Sequence, residues 1–310
     1  MPPEGDTSDR PERCKAKETP MDVLTPIADM RTWSRKQVQA GKRTAFVPTM
    51  GALHQGHISL VEKARTLADE VVVSIYVNPT QFDNPEDLAK YPKTLEADLE
   101  LCRAAGVSAV WTPDSAEMYP NGYCTFVEVV GPLTDKLCAV ARPGHFRGVC
   151  TVVTKLLAVV RPDVAVFGQK DLQQALIISR MNGDLNLGTE IVVAPTVRDP
   201  DGLAMSSRNK RLSPEMRAKA LGLPRGLELA RRAYRAGQIT SLKLIEIVAE
   251  ELLVEEGVDM DYCDVVSLKG FAEAEHADDA CVLAAAVFVD GVRLIDHVPL
   301  AGAAIPVKAD

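Results

Sequence analysis

The chain holds no uninterrupted apolar run of roughly eighteen residues, the length a helix needs to cross a membrane. Its first twenty residues, MPPEGDTSDRPERCKAKETP, lack the apolar centre of a secretion signal. Neither membrane spanning nor export is supported, and the cytoplasm follows by elimination. Paired cysteines are missing too: the seven, at 14, 102, 124, 138, 150, 263 and 281, are scattered, odd in number and never spaced as CxxC. That argues against a disulfide framework and a structural zinc, and leaves reduced thiols among apolar neighbours. Nor is there an excess of positive charge. With 35 Lys and Arg against 43 Asp and Glu, the formal net charge is −8. A nucleic-acid surface as the main business is excluded, because phosphate backbones are held by clustered Lys and Arg. The expected partner is a small molecule, which local basic clusters can still bind.

What is present is apolar material, 46% of 310 residues, enough for a substantial core in one large or two modest domains. Residues 1–20 mix proline with charges of both signs and read as a disordered extension. From Thr44 onward, apolar β-branched runs alternate with helical spacing. Strands are predicted at Thr44–Val47, Val71–Val77, Ala109–Trp111, Thr125–Val130, Val164–Phe167 and Ile191–Ala194, and helices near 56–68, 95–105, 148–160 and 172–182. Such alternation predicts an α/β domain over 21–200, a parallel sheet covered by helices with ligands beyond the carboxyl ends of its strands. After Ser213-Pro214-Glu215 the composition shifts to an Ala, Leu and Arg-rich helical stretch, then to strands near Tyr262–Val266, Cys281–Phe288 and Val292–Ile295. A smaller α+β domain, opened by a lid loop, is expected over 201–310.

The polar clusters fall just after those strands. Phe46-Val-Pro-Thr-Met-Gly-Ala-Leu-His54-Gln-Gly-His57-Ile-Ser-Leu-Val61 joins a strand to a helix, with Pro48 and Gly51 breaking the strand. Its helix-start amides and two imidazoles suit a phosphoryl group, while a capped helix with solvated histidines fits the same spacing. No further His or Cys lies nearby to complete a zinc set. In Val77-Asn78-Pro79-Thr80-Gln81-Phe82 two amides flank a strand-stopping proline, which suits a small hydroxy acid or a plain Asn-Pro turn. Arg142-Pro-Gly144-His145-Phe-Arg147-Gly148 places two guanidiniums and an imidazole before a helix, pointing to an anion or to a solvated loop, and its glycines suggest close backbone approach. In Phe167-Gly168-Gln169-Lys170-Asp171-Leu172-Gln173-Gln174, Gly168 permits a turn, Lys170 offers charge to a phosphate, Asp171 caps the helix or holds a ribose hydroxyl, and Gln174 faces the same mouth. The loop Thr196-Val-Arg198-Asp-Pro-Asp-Gly-Leu-Ala-Met205-Ser206-Ser207-Arg208-Asn209 could close over phosphates or be ordinary surface.

In order and spacing, PTMGALHQGHISLV, YVNPTQF, YPKTLEADL, RPGHFRGV, GQKDLQQ and GLAMSSRN, with RLID at 293–296, closely resemble the pantoate-beta-alanine ligases and cover most of residues 44–212. The HxGH element and the serine-rich loop also resemble those of the wider nucleotidyltransferase superfamily. The resemblance implies a Rossmann-like parallel-sheet domain with a smaller C-terminal α+β domain, and a two-step ligation. In it the carboxylate of pantoate attacks the α-phosphate of ATP, with Mg²⁺ present, and β-alanine then displaces AMP from pantoyl adenylate. A carboxylate already ionised at pH 7 needs alignment and charge stabilisation rather than a strong base.

Carried over position by position, the resemblance assigns the ATP site to Met50, Gly51, Ala52, Leu53, His54, Gln55, Gly56 and His57, to Gly168, Gln169, Lys170 and Asp171, and to Val197 with Met205, Ser206, Ser207 and Arg208. It makes His57, His54, Lys170, Ser206, Ser207 and Arg208 the catalytic set, with His57 in the proton-donor place. Gln81 and Gln174 match the pantoate glutamines, Gln81 also lying near the β-alanine position. Asn78, Tyr91, Arg142 and His145 are second-rank candidates, and metal ligands stay unassigned. A cytoplasmic homodimer is implied. Departures are Leu137-Cys138-Ala139 in place of Leu-Glu-Gly, Leu172 in place of an aromatic, and Asp296-His297 in place of Asp-Asn. The rival reading is a nucleotidyltransferase of the same superfamily with another acceptor, which would have no use for the paired glutamines.

Overall fold

The structure, a computed structural model, describes residues 21–254 and 256–301; the extension expected at 1–20 lies outside the described residues. Among the described residues nine strands form two sheets. In the first, β1 (Asp22–Leu24), β2 (Thr44–Thr49), β3 (Glu70–Ile75), β4 (Ala109–Trp111), β5 (Val164–Gly168) and β6 (Glu190–Ala194) lie in the order β1-β4-β3-β2-β5-β6, every pair parallel. In the second, β7 (Val258–Ser267), β8 (Cys281–Val289) and β9 (Val292–Pro299) form an antiparallel meander. The fold is thus a Rossmann-like parallel-sheet domain with a smaller C-terminal α+β domain.

The parallel sheet is apolar on both faces because helices cover both. Ala45 and Val47 of β2 point into one buried cluster with Leu60, Val61 and Ala64 of helix Gln55–Arg65, whereas Phe46 points into the other, with Val149, Val153 and Leu156 of helix His145–Val160. Alternate residues of one strand therefore feed two cores, which is why the strand reads as a continuous hydrophobic run. The second sheet packs its own cluster, Leu283, Ala285 and Val287 against Leu223, Leu227, Leu244 and Val248 of two antiparallel helices.

Chain progression reverses between β2 and β5: β2 to β3 to β4 runs one way, and β5 to β6 runs the other. Loops leaving two strands at such a switch point diverge to opposite faces and open a crevice, the usual ligand position in open α/β sheets. Here the pairing of β2 with β5 covers only Ala45 and Phe46. Beyond them the two strands separate. This also explains Pro48, expected to break the strand but lying within β2: it still pairs with β3 through Ser74, and the β5 side has already ended.

Four elements differ from expectation. Asp22–Leu24 forms an edge strand beside β4, followed by helix Ile27–Gln39, neither predicted from the sequence. Residues 125–130, expected as a strand, run outside both sheets; Val127 N–H donates to the Thr151 hydroxyl (2.9 Å), and Val127 and Val129 pack on the core instead. The helix expected from Gly148 begins at His145, one turn earlier.

Candidate active site

A cleft of about 240 Å³ opens at the switch point, lined by Met50, His54, Gly56 and His57 from the turn after β2 and by Asn78, Gln81, Phe82 and Tyr91 from the segment after β3. Gly168, Lys170, Asp171 and Gln174 line it from the junction after β5, and Val197 with Met205, Ser206, Ser207 and Arg208 from the loop after β6. Four separate loops thus bring the predicted residues to one mouth. Gly51, Ala52 and Leu53 are buried behind the turn, Gln55 is exposed, and Gln169 faces the small domain, so these five lie near the cleft without lining it.

The turn after β2 is a capped helix start, and the cap itself shapes the donors. His54 is the N-cap of helix Gln55–Arg65: its Nδ1 accepts from Gly56 N–H (3.1 Å), and His57 Nδ1 accepts from His54 N–H (3.3 Å), a reciprocal capping box. A backbone N–H can only donate, so each neutral ring must carry its proton on Nε2. Burial, and for His57 the neighbouring His54, pushes the His57 pKa down to about 3; burial and Lys170 lower that of His54. Two neutral imidazoles with Nε2–H donors therefore stand in the cleft at pH 7.

The helix-start amides, expected to receive the anion, are already engaged. Ala52 N–H and Leu53 N–H donate to the two oxygens of Asp98 (2.9 and 2.8 Å), Gly51 N–H donates to Thr49 Oγ1 (3.2 Å), and Gly56 N–H goes to His54. Asp98 is 2% exposed and accepts a third bond from Thr94 Oγ1 (3.1 Å). A buried carboxylate is tolerable only when hydrogen-bonded in this way. It holds Gly51 and Ala52 at φ +82° and +51°, and a Cβ on Gly51 would stand 3.0 Å from Asp98 Oδ2. Charge stabilisation in the cleft accordingly falls to side chains. Sequence pattern alone missed Asp98; the signal was an acid on the apolar side of helix Leu95–Ala104, beside Leu99 and Cys102.

The Arg142–Gly148 run fixes Gln81 from the rim of the cleft, which Arg142 and His145 also line. Arg142 bonds Asp83 Oδ1 (2.7 Å from Nη2), and Arg147 stacks over Phe126 (4.1 Å) away from the mouth. His145 Nδ1 donates to the Gln81 carbonyl (2.7 Å) and its Nε2 accepts from Arg142 (3.3 Å); burial, with Arg142 next, brings its pKa to about 4. The Gln81 side chain is fixed as well. Tyr119 Oη donates to Asn78 Oδ1 (2.7 Å), and Asn78 Nδ2 donates to Gln81 Oε1 (2.9 Å), so Gln81 turns its NH₂ to the cleft, where it meets Met50 Sδ (3.3 Å). Close approach holds at Gly148, where a Cβ would sit 2.3 Å from the Thr80 carbonyl oxygen; Gly144 has φ +80° in open space.

After β5, Gly168 has an ordinary extended backbone (φ −84°), so its turn does not require glycine, and Asp171 makes no side-chain cap to helix Leu172–Asp184. Lys170 Nζ lies 3.7 Å from Asp171 Oδ1. Desolvation opposes the charge on Asp171, but Lys170 and Arg208 hold its pKa below the ordinary value. Gln173 is consumed by Leu133 and Lys136 carbonyls and Cys138 N–H, which leaves Gln174 to the cleft. Arg208 on the loop after β6 bonds Asp87 (3.0 Å), which also holds Arg211 (2.9 Å). The apolar wall is Val149, Val152, Val153, Leu156 and Phe167. Its i, i+3, i+4, i+7 spacing was legible as a buried face but not as a pocket wall.

Comparison with known proteins agrees with this architecture. A family model for pantoate-beta-alanine ligase matches residues 22–299. The chain belongs to the pantoate-beta-alanine ligase family.

Within that family, the pantothenate synthetase of Pelotomaculum thermopropionicum is 48% identical over 275 residues, covering 89% of this chain and 97% of the relative. That of Myxococcus xanthus is 49% identical over 284 residues, covering 90% and 96%. The crystal structure of pantothenate synthetase from Thermus thermophilus superposes with a TM-score of 0.85 at 39% identity, covering 92% of this chain and all of that one. A pantoate-beta-alanine ligase from Francisella tularensis, crystallised with beta-gamma ATP and beta-alanine, gives 0.78 at 31% identity, covering 92% and 99%. Two departures from the family pattern are packing changes. Cys138 lies buried beside Arg293 (3.4 Å from Nη2), and Leu172 packs in a small core with Leu137, Val266 and Phe271. His297 is different, because it touches the turn after β5.

Proposed function

We propose that the chain joins (R)-pantoate to β-alanine with ATP through pantoyl adenylate, releasing pyrophosphate and AMP. The observation that carries this is the meeting at one cleft of His54, His57, Lys170 and Arg208, all proton donors, with Gln81 and Gln174 beside an apolar wall. Donors of that kind suit a phosphate, and two amides beside valines suit a small dihydroxy acid bearing two methyls.

In this reading the pantoate carboxylate oxygen forms a bond to the α-phosphorus, the bond to pyrophosphate breaks, and pyrophosphate takes the electron pair. His57 and His54, through Nε2–H, with Lys170, stabilise charge on the phosphate oxygens; Met205, Ser206, Ser207 and Arg208 close over the triphosphate. Two preset imidazole donors cost no reorganisation as charge develops. The amine of β-alanine then attacks the acyl carbon, the acyl carbon–oxygen bond breaks, AMP leaves and the new amide loses a proton.

Mg²⁺ belongs to this reading. Among the described residues no three His, Cys, Asp or Glu gather as a metal cage. Such a donor set fits an ion carried on phosphates, since Mg²⁺ is commonly held by one or two carboxylates with phosphate oxygens and water. Asp171, the one carboxylate lining the cleft among the described residues, would hold it, and the ion would neutralise phosphate charge.

A cytoplasmic homodimer completes the proposal. The six described cysteines are free thiols. Residues 125–130 leave Phe126 and Val130 exposed without a sheet partner among the described residues, an edge that a second copy could cover. Separately, among the described residues no helix is long and apolar enough to cross a membrane. Purified protein given ATP, Mg²⁺ and pantoate should release pyrophosphate, and should release AMP and make pantothenate only when β-alanine is added. Absence of AMP with all substrates present sinks the ligase reading.

A further inference from the structure

The dipeptide Asp296-His297 of β9 brings the small domain to two segments that border the cleft. Asp296, its side chain 1% exposed, takes both arms of the Arg198 guanidinium: Nη1 to Oδ2 at 2.6 Å and Nη2 to Oδ1 at 2.9 Å. Arg198 Nη1 also donates to the Gly202 carbonyl (3.1 Å), and His297 N–H donates to Asp296 Oδ1 (2.8 Å). The pair sits at the root of a tight hairpin. Arg198 bridges Ala204, Asp199 N–H bonds the Leu203 carbonyl (2.8 Å), and Met205 N–H returns to the Val197 carbonyl (3.0 Å). Met205 to Arg208 leave this hairpin directly into the cleft. The next residue of β9, His297, is 5% exposed and its Nε2 accepts from Gln169 Nε2 (3.4 Å) in the turn after β5.

Asp296 is buried and Arg198 half-buried; such an ion pair contributes little net stability, because desolvation offsets the attraction, and apolar residues of similar volume often serve as well. What a bidentate pair does fix is direction and register. We infer that Asp296 is a positioning residue for adenylation: by clamping Arg198 it sets the hairpin from which Met205–Arg208 reach the phosphates. The small domain is then part of the nucleotide site rather than an appended body. This rests on the proposed adenylation, yet the clamp itself can be read without it.

The double variant Arg198→Met/Asp296→Leu replaces the pair with apolar side chains and so separates positioning from stability. Its melting temperature is expected within a few degrees of the parent, while amide hydrogen exchange over 197–211 rises about 10-fold or more and exchange in the parallel sheet stays unchanged. Single-turnover adenylation is expected to fall about 10- to 100-fold with a raised KM for ATP, and the KM for β-alanine to hold. Unchanged exchange over 197–211 overturns the clamp, whether or not the parent makes AMP. Parent-like adenylation in the double variant, or activity that tracks melting temperature across Asp296→Asn, Asp296→Ala and the double variant, overturns the positioning role. A parent that makes no AMP while the exchange change is present removes the ligase reading alone.

Discussion

The turn at Met50–His57 and the loop at Val197–Arg211 face each other across the cleft and are built in opposite ways. In the turn, backbone amides and imidazole Nδ1 atoms satisfy one another around a buried carboxylate, leaving His54 and His57 as fixed donors. In the loop, charged side chains carry the structure to distant elements: Arg208 and Arg211 to Asp87, Arg198 to Asp296, Arg217 back to Asp199 and Asp201. The first is preorganised, as charge stabilisation requires. The second is held at its root by Asp296, while its half-exposed pairs with Asp87 can release and reform, as the proposed lid requires.

The largest effect is expected where a fixed donor is removed. His57→Ala should slow single-turnover adenylate formation by about 10²-fold or more; a rate near that of the parent would take His57 out of its role. Next is the support of the turn. Asp98→Asn turns an NH₂ toward N–H groups that need acceptors, and should cost about 1–3 kcal/mol in urea unfolding. An unchanged midpoint would mean that the carboxylate does not hold the turn.

The imidazoles supply a third test. His57, His145 and His297 are all held below the ordinary 6.5, at about 3, 4 and 4, chiefly by burial. The unfolded chain therefore takes up their protons first as pH falls. Their contribution to stability is complete above about pH 6.5 and is lost progressively toward pH 3–4. In NMR titration the His57 ring should show no inflection between pH 5 and 8; one near 6.5 would contradict the neutral donor. The smallest effect belongs to the proposed lid. Asp87→Asn breaks half-exposed pairs, so stability should change by less than about 1 kcal/mol, measured by the same unfolding assay. A larger loss would place the lid with the rigid parts.

Much of this was legible in the sequence because period and punctuation are local. Alternating apolar runs gave the parallel sheet, and the clusters at His54–His57, Asn78–Gln81 and Lys170–Gln174 were correctly read as lying at its loop ends. Misreadings came where partners are distant. The pairing of Arg142 with Asp83 was not legible because the two lie 59 residues apart, and the helix-start amides looked free because Asp98 comes from another helix. Residues 125–130 have the pattern of a strand but no neighbour to pair with among the described residues. Asp22–Leu24 became a strand only because β4 lies beside it. Each miss is a tertiary contact that local pattern cannot contain.

The route of one oxygen atom tests the whole account. If pantoate attacks through its carboxylate, pantoate labelled with ¹⁸O in that carboxylate must pass one labelled oxygen to AMP when β-alanine displaces it. The expected result is AMP carrying a single ¹⁸O, with pyrophosphate unlabelled. Label in pyrophosphate, or none in AMP while pantothenate accumulates, would contradict a pantoyl adenylate at this cleft.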